Sequence, residues 1–201
     1  MALTKISNQS LSSISSLPAT LPTGALTLLS TQTASSSASI SFTSGLDSTY
    51  NSYIFKFINI HPATDQTFLT FQADTGTNTN YNQTVTTSYF TAYHNEGGSS
   101  TALTYNTSYD LAQSTDFITI ADRTGTDNDQ SISGTLQIFQ PSSSTFVKHF
   151  IADTNCYEQS DFSSRVFVGG YFNITTAITR FQFKMSSGNI DSGVIKLYGV
   201  G

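Results

Sequence analysis

Few side chains in this 201-residue sequence are equipped for chemistry, and those few are scattered. Three histidines, His61, His94 and His149, stand at wide, unrelated intervals and lack the short spacings of zinc ligands. The stretch Asp127-Asn-Asp-Gln-Ser131 offers the oxygen donors that calcium takes, but not the glycine and distal glutamate of an EF-hand loop. An Asx-rich turn is the plainer reading. Asp127 with Asp129, and Glu158 with Asp161, are the carboxylate pairs closest to a glycosidase arrangement, and both are expected to be solvated loop acids. No Gly-x-Ser-x-Gly elbow anchors a hydrolase triad. Gly169-Gly170 lacks the helix and lysine of a phosphate loop and reads as a bulge or a close approach of two sheets. Cys156 is the single cysteine, so no disulfide forms within the chain, and it is expected to be a small buried apolar group. No catalytic, cofactor-binding or metal residue is nominated, no cofactor is expected, and the expectation is a protein that is not an enzyme.

Composition points the same way. Charged residues make up only 10% of the chain, against roughly 25% in ordinary globular proteins. Serine and threonine fill the gap with 31 copies each. A surface of hydroxyls and amides packs readily against protein or glycan, because little charge must be desolvated on contact. The net charge of −5 argues against nucleic acid, which wants a basic footprint. Lys184 and Lys196 fall on alternating strand positions and are read as solvent-facing edge residues. No apolar run approaches the ~18 residues of a membrane span, and Lys5 is followed by polar sequence instead of a secretory core. Synthesis in a cytoplasm without membrane insertion is expected, so the sequons at Asn8, Asn82, Asn106 and Asn173 carry no weight.

The chain divides into two parts. Residues 1–24 hold Leu3, Ile6, Leu11, Ile14 and Leu17 among serines, punctuated by Pro18 and Pro22. This segment is expected to be an arm that lies on another surface, with those five side chains as its contacts; packing on its own domain is the alternative. From residue 25 the pattern is β almost throughout. Eleven runs rich in Phe, Tyr, Ile, Val and Thr are expected as strands: 25–31, 37–43, 52–60, 67–73, 88–94, 116–121, 131–139, 145–151, 165–174, 178–185 and 193–200. Gly, Asn, Asp and Ser clusters separate them. The expected fold is all-β: an antiparallel two-sheet sandwich, a jelly roll, with an extended N-terminal arm. The last two runs, Phe181–Met185 and Gly193–Val200, tie the end of the chain into a sheet.

The Tyr- and Asn-rich stretch from Asn78 to Tyr109 admits two readings. Tyr81, Tyr89, Tyr93, Tyr105 and Tyr109 among small polar neighbours suit an adaptable binding surface, or they are core residues alternating with outward Thr. Tyr89 and Tyr93 are expected to be at least partly buried.

One resemblance adds to this reading. Tyr50-Asn-Ser-Tyr-Ile-Phe-Lys-Phe-Ile-Asn-Ile-His-Pro-Ala-Thr-Asp65, with the following Thr67-Phe-Leu-Thr-Phe-Gln-Ala-Asp74, resembles virion structural proteins of tailed bacteriophages, aquatic ones in particular. Ile178-Thr-Arg-Phe-Gln-Phe183, Ser187-Gly-Asn-Ile-Asp-Ser-Gly193 and Lys196-Leu-Tyr-Gly-Val200 are similar to the C-terminal hairpin of the same proteins, and Leu3-Thr-Lys-Ile-Ser7 resembles their N-termini. The resemblance covers residues 45–75 and 165–201. It implies a virion component but not its station on the particle; an appendage in fibre, neck or tail, anchored by its arm to other virion proteins and able to touch host surface glycan, is expected. A capsid decoration (cement) protein, and a glycan-binding or glycan-cleaving module, are the alternatives. Self-association as a trimer is expected, since closed symmetry is the usual outcome for such proteins.

Overall fold

The computed structural model describes residues 26–201; residues 1–25, including the arm and its Leu3, Ile6, Leu11, Ile14 and Leu17, lie outside the described part. Twelve strands follow in chain order: β1 (Leu26–Ser37), β2 (Ile40–Phe42), β3 (Ser52–Pro62), β4 (Leu69–Asp74), β5 (Val85–Asn95), β6 (Thr101–Tyr105), β7 (Ile118–Thr119), β8 (Ile132–Phe139), β9 (Lys148–Glu158), β10 (Phe162–Phe172), β11 (Arg180–Met185) and β12 (Ile190–Val200). They form two antiparallel sheets. One has eight strands in the order β1-β12-β3-β8-β9-β10-β5-β6; the other has four, β2-β11-β4-β7.

Period-two alternation explains how the two sheets meet. In β3, Tyr53, Phe55 and Phe57 are buried while Ile54 and Lys56 point outward. In β11, Phe181, Phe183 and Met185 do the same from the smaller sheet. The two rows interlock: Phe55 lies 5.1 Å from Phe181 and 5.0 Å from Phe183, ring centre to ring centre, and Phe57 lies 5.3 Å from Phe183. Phe42 closes on Phe55 at 5.1 Å, and Phe71 meets Phe150 edge-on at 5.2 Å. Such pairs add about 0.5–1.5 kcal/mol each beyond the area they bury. The phenylalanines thus carry both the hydrophobic burial and the spacing between the sheets.

Four expectations need correction. The last two strands do not form a hairpin: β11 pairs with β2 and β4, whereas β12 pairs with β1 and β3. Both have an apolar row that must face the core, and the turn between them, with Gly188 at φ +70°, carries the chain from one sheet to the other. Lys184 and Lys196 consequently sit on interior strands, not edges. Lys196 is half-buried on the outer face of the large sheet, and the Lys184 ammonium lies 3.9 Å from the centre of the Phe117 ring. The strand expected at 145–151 begins at Lys148 and runs to Glu158, because its second half puts small or polar side chains (Ala152, Thr154, Cys156) into the core, where the hydrophobic alternation fades. Strand β6 was not expected at all; it is an edge strand with Leu103 and Tyr105 exposed, so no buried row marks it.

Gly169-Gly170 is not a bulge, since the register of β10 with both neighbours runs unbroken through it. It is a close approach within one sheet. A Cβ on Gly170 would meet the Phe150 ring at 2.7 Å and the Thr86 carbonyl at 2.6 Å. The Phe150 ring therefore lies across the glycine on the neighbouring strand.

Candidate functional site

The eight-stranded sheet has one face against the core and one that none of the described residues covers, and this outer face carries the candidate site. Register fixes its rows. Across the edge half runs Tyr105 (β6), Phe90 (β5), Phe167 (β10), Asp153 (β9) and Thr135 (β8), then Lys56 (β3), Lys196 (β12) and Thr31 (β1). The next row, two residues along each strand, runs Ser88, Gly169, Ile151, Gln137, Ile54, Tyr198 and Leu28. Leu103 stands 74% exposed beside the first row, with Tyr105 at 58%, Ile151 at 56% and Leu28 at 52%. Phe90, Leu26 and Ile58 are also exposed on strands of this sheet. Single exposed apolar residues are ordinary; large ones sharing a sheet face mark an interaction surface.

Local contacts hold this face in a fixed shape. The Phe90 and Phe167 rings stack 5.0 Å apart with planes 16° from parallel. Arg165 lies over Phe167 at 4.7 Å and grips Asp153 with two hydrogen bonds, Nε to Oδ1 at 3.0 Å and an Nη to Oδ2 at 2.7 Å. That fork keeps the guanidinium protonated well above its ordinary range, the Asp153 hydrogen bonds being the main cause. Lys56 caps the Tyr198 ring at 5.3 Å. Arg165, Asp153 and Lys56 are thereby used to fix aromatic rings, while Lys196 stands half-buried beside Lys56 on the same face.

The residues singled out by chemistry are dispersed. His94 and His149 lie on the outer face, His149 beside Tyr171 with ring centres 5.9 Å apart. His61 is elsewhere, its Nε2 3.2 Å from the Asp127 carbonyl and its Nδ1 3.5 Å from the Asp191 carboxylate. Among the described residues no three His, Cys, Asp or Glu side chains converge as a metal set would. The Asp127–Gln130 segment is a turn closed by the Gln130 amide N–H on the Asp127 carbonyl at 2.9 Å. Cys156 is buried in β9, and that burial raises its thiol to about 12. Glu158 is not the solvated loop acid expected of it. It ends β9 on the core side and is 4% exposed, whereas Asp161 sits in the turn and accepts from the Tyr157 hydroxyl.

The tyrosines divide between their two readings. Tyr81 and Tyr89 are buried, Tyr93 and Tyr109 are half-buried, and Tyr105 is exposed with its hydroxyl on Asp110. Sequence reasoning missed the outer face because it is assembled from strands far apart in the chain. Its signal was the outward member of each alternation: Phe90, Ile151 and Leu103 occupy positions where a solvated strand carries Thr or Lys. No protein family, curated protein or solved structure matches the chain.

Proposed function

We propose that this protein is a non-enzymatic structural component of a phage virion, an appendage in fibre, neck or tail that associates with copies of itself and with other virion proteins. The observation that carries the reading is the outer face of the eight-stranded sheet, whose exposed Phe90, Leu103, Tyr105 and Ile151 await a protein partner beside the mutually paired Arg165 and Asp153. The resemblance of residues 45–75 and 165–201 to tailed-phage virion proteins is the ground for the proposed setting. Residues 1–24 are the anchoring segment in this reading, and the assembly is a trimer closed about one axis.

Strand order supports a finer reading of the fold. Strands β1 and β3 lie in the larger sheet and β2 and β4 in the smaller, so the first four strands alternate between the sheets, as β11 and β12 do again at the end. We infer a jelly roll in which β5, β6, β9 and β10 are additions that widen one sheet. That architecture serves viral shells and lectins alike. Fold alone does not decide function, so the weight stays on the face. The added strands bring Phe90, Leu103, Tyr105 and Ile151 to the outer face.

The test is a mass-spectrometric count of this chain per particle relative to the major shell protein, with the sedimentation of the purified chain. Tens of copies and a trimer are expected. Hundreds of copies would make it a capsid decoration protein instead, and its absence from particles would overturn the reading altogether.

A further inference from the structure

At the end of the sandwich opposite Lys148, the core face of β5, β9 and β10 runs past the cover of the smaller sheet and becomes the floor of a pocket. Tyr93, Phe162 and Ser164 form part of that floor with Glu158, and the segment after β7 walls it with Asp122 and Arg123. That segment is held in place on both sides. Thr124 bridges to Thr67 and to Glu158, and the Gln159 amide donates to the Arg123 carbonyl at 3.1 Å. The cavity measures about 230 Å³, below the ~300–1,000 Å³ of sites for drug-sized ligands, so it suits a single ring.

Glu158 is the informative group. Its side chain is 5% exposed, and only one carboxylate oxygen is satisfied, Oε2 accepting from the Ser160 amide at 2.8 Å. Among the described residues Oε1 is the one buried side-chain polar atom without a hydrogen bond. Arg123 Nε stands 3.5 Å away, which neutralises charge without donating a hydrogen bond. A buried acceptor left open is costly unless a ligand donates to it. Around it, Asp122 accepts from the Ser164 hydroxyl at 2.7 Å, the Arg123 side chain is half exposed, and Phe162 meets Tyr93 edge-on at 5.5 Å.

We propose that this pocket binds one uncharged sugar ring. The chemistry selects it by elimination of charge. An anion would face two carboxylates, and a cation would face the Arg123 guanidinium across a narrow cavity. A sugar hydroxyl both donates and accepts, so one edge of a ring satisfies Glu158 Oε1 and takes a hydrogen bond from Arg123. The C–H face of the ring then lies against the aromatic pair. The pocket does not depend on the assembly reading, because its residues point to the core side of the sheet and the apolar patch to the other.

Saturation-transfer NMR on the full chain with methyl glucoside, methyl galactoside, methyl mannoside and N-acetylglucosamine tests this. At least one is expected to bind with a millimolar Kd, and Glu158→Gln is expected to weaken it roughly tenfold, the usual loss for a charged acceptor. Arg123→Ala and Phe162→Leu are expected to weaken it too, and they decide the matter should Glu158→Gln fail to fold. Ile151→Lys on the outer face should leave sugar binding unchanged. Failure of all four sugars, binding indifferent to all three pocket variants, or tighter binding of methylguanidinium or inorganic phosphate would overturn the proposal.

Discussion

Lys148 and Glu158 occupy the two ends of β9 on the same core-facing row, roughly 33 Å apart at ~3.3 Å per residue, and they are satisfied in opposite ways. Lys148 is fully buried and donates to the carbonyls of Phe146 at 2.9 Å and Ile174 at 3.2 Å. Glu158 keeps one oxygen open. Between them stand Phe150, Ala152, Thr154 and Cys156, the part of the row that the smaller sheet covers. The sandwich therefore closes one end with its own backbone and leaves the other end open as a pocket.

Replacing Lys148 with methionine should change stability by less than about 1 kcal/mol at neutral pH, because relief of ammonium desolvation and loss of two hydrogen bonds oppose each other. The pH dependence should change more. Burial lowers the folded pKa of Lys148 below its unfolded value, so the unfolded chain binds more protons. Stability from this group therefore rises with pH until the unfolded pKa near ~10.4 is reached. In urea melts between pH 8 and 10 the stability of wild type relative to Lys148→Met should increase with pH, whatever other groups do to both; a constant difference would refute it.

Cys156 acts in the other direction. Its folded pKa is raised from 9.0 to about 12, chiefly by burial, with Asp122 adding to it. The stability it confers is complete below the unfolded pKa and is lost as pH rises from about 9 toward 12, by about 1.4 kcal/mol per pH unit. Buried Tyr89 is raised by the same cause and extends the loss. Cys156→Ala should flatten the decline above pH 9, and iodoacetamide should label the native wild-type thiol only after denaturation. Rapid labelling at pH 8 without denaturant would contradict the buried placement.

Gln72 ties two long connections to β4. Its amide nitrogen donates to the carbonyls of Gln83, Thr115 and Asp116 at 2.9–3.2 Å, and its oxygen accepts from the Ala73 amide at 2.7 Å. The Gln72 side chain is fully buried, so Gln72→Leu leaves three partly buried carbonyls without their donor. A loss of about 2–4 kcal/mol is expected from several unmet groups at ~1–3 kcal/mol each. The midpoint of urea denaturation measures it, and a loss under 1 kcal/mol would show that the loops resettle without this anchor.

Much of the frame was legible because alternation of large apolar residues reports directly on burial. Tyr53, Phe55 and Phe57 fixed β3, and Phe181 with Phe183 fixed β11. The partner of each strand was not legible. Nothing local in Ser187-Gly-Asn-Ile-Asp-Ser-Gly193 distinguishes a hairpin from a crossing between sheets, since both need the same turn residues. The site escaped for a related reason. Glu158 reads as a loop acid by its neighbours, and its burial depends on Arg123 and Thr124, which arrive from 34 or more residues away.

Deleting residues 1–22 tests the division of labour between anchor and sandwich. Every described strand lies at or beyond Leu26, so the truncated chain should fold with an unchanged denaturation midpoint and, on the proposed reading, fail to join the particle. Introducing lysine at Leu103 and Ile151, both well exposed, should do the converse. Surface changes of this kind shift stability by about 0.5 kcal/mol or less, whereas desolvating two ammonium groups in an apolar interface is prohibitive. Sedimentation should then report a folded monomer where the proposed wild-type assembly is a trimer. A double variant that still sediments as wild type would remove the outer face from the assembly, whatever the truncated chain does.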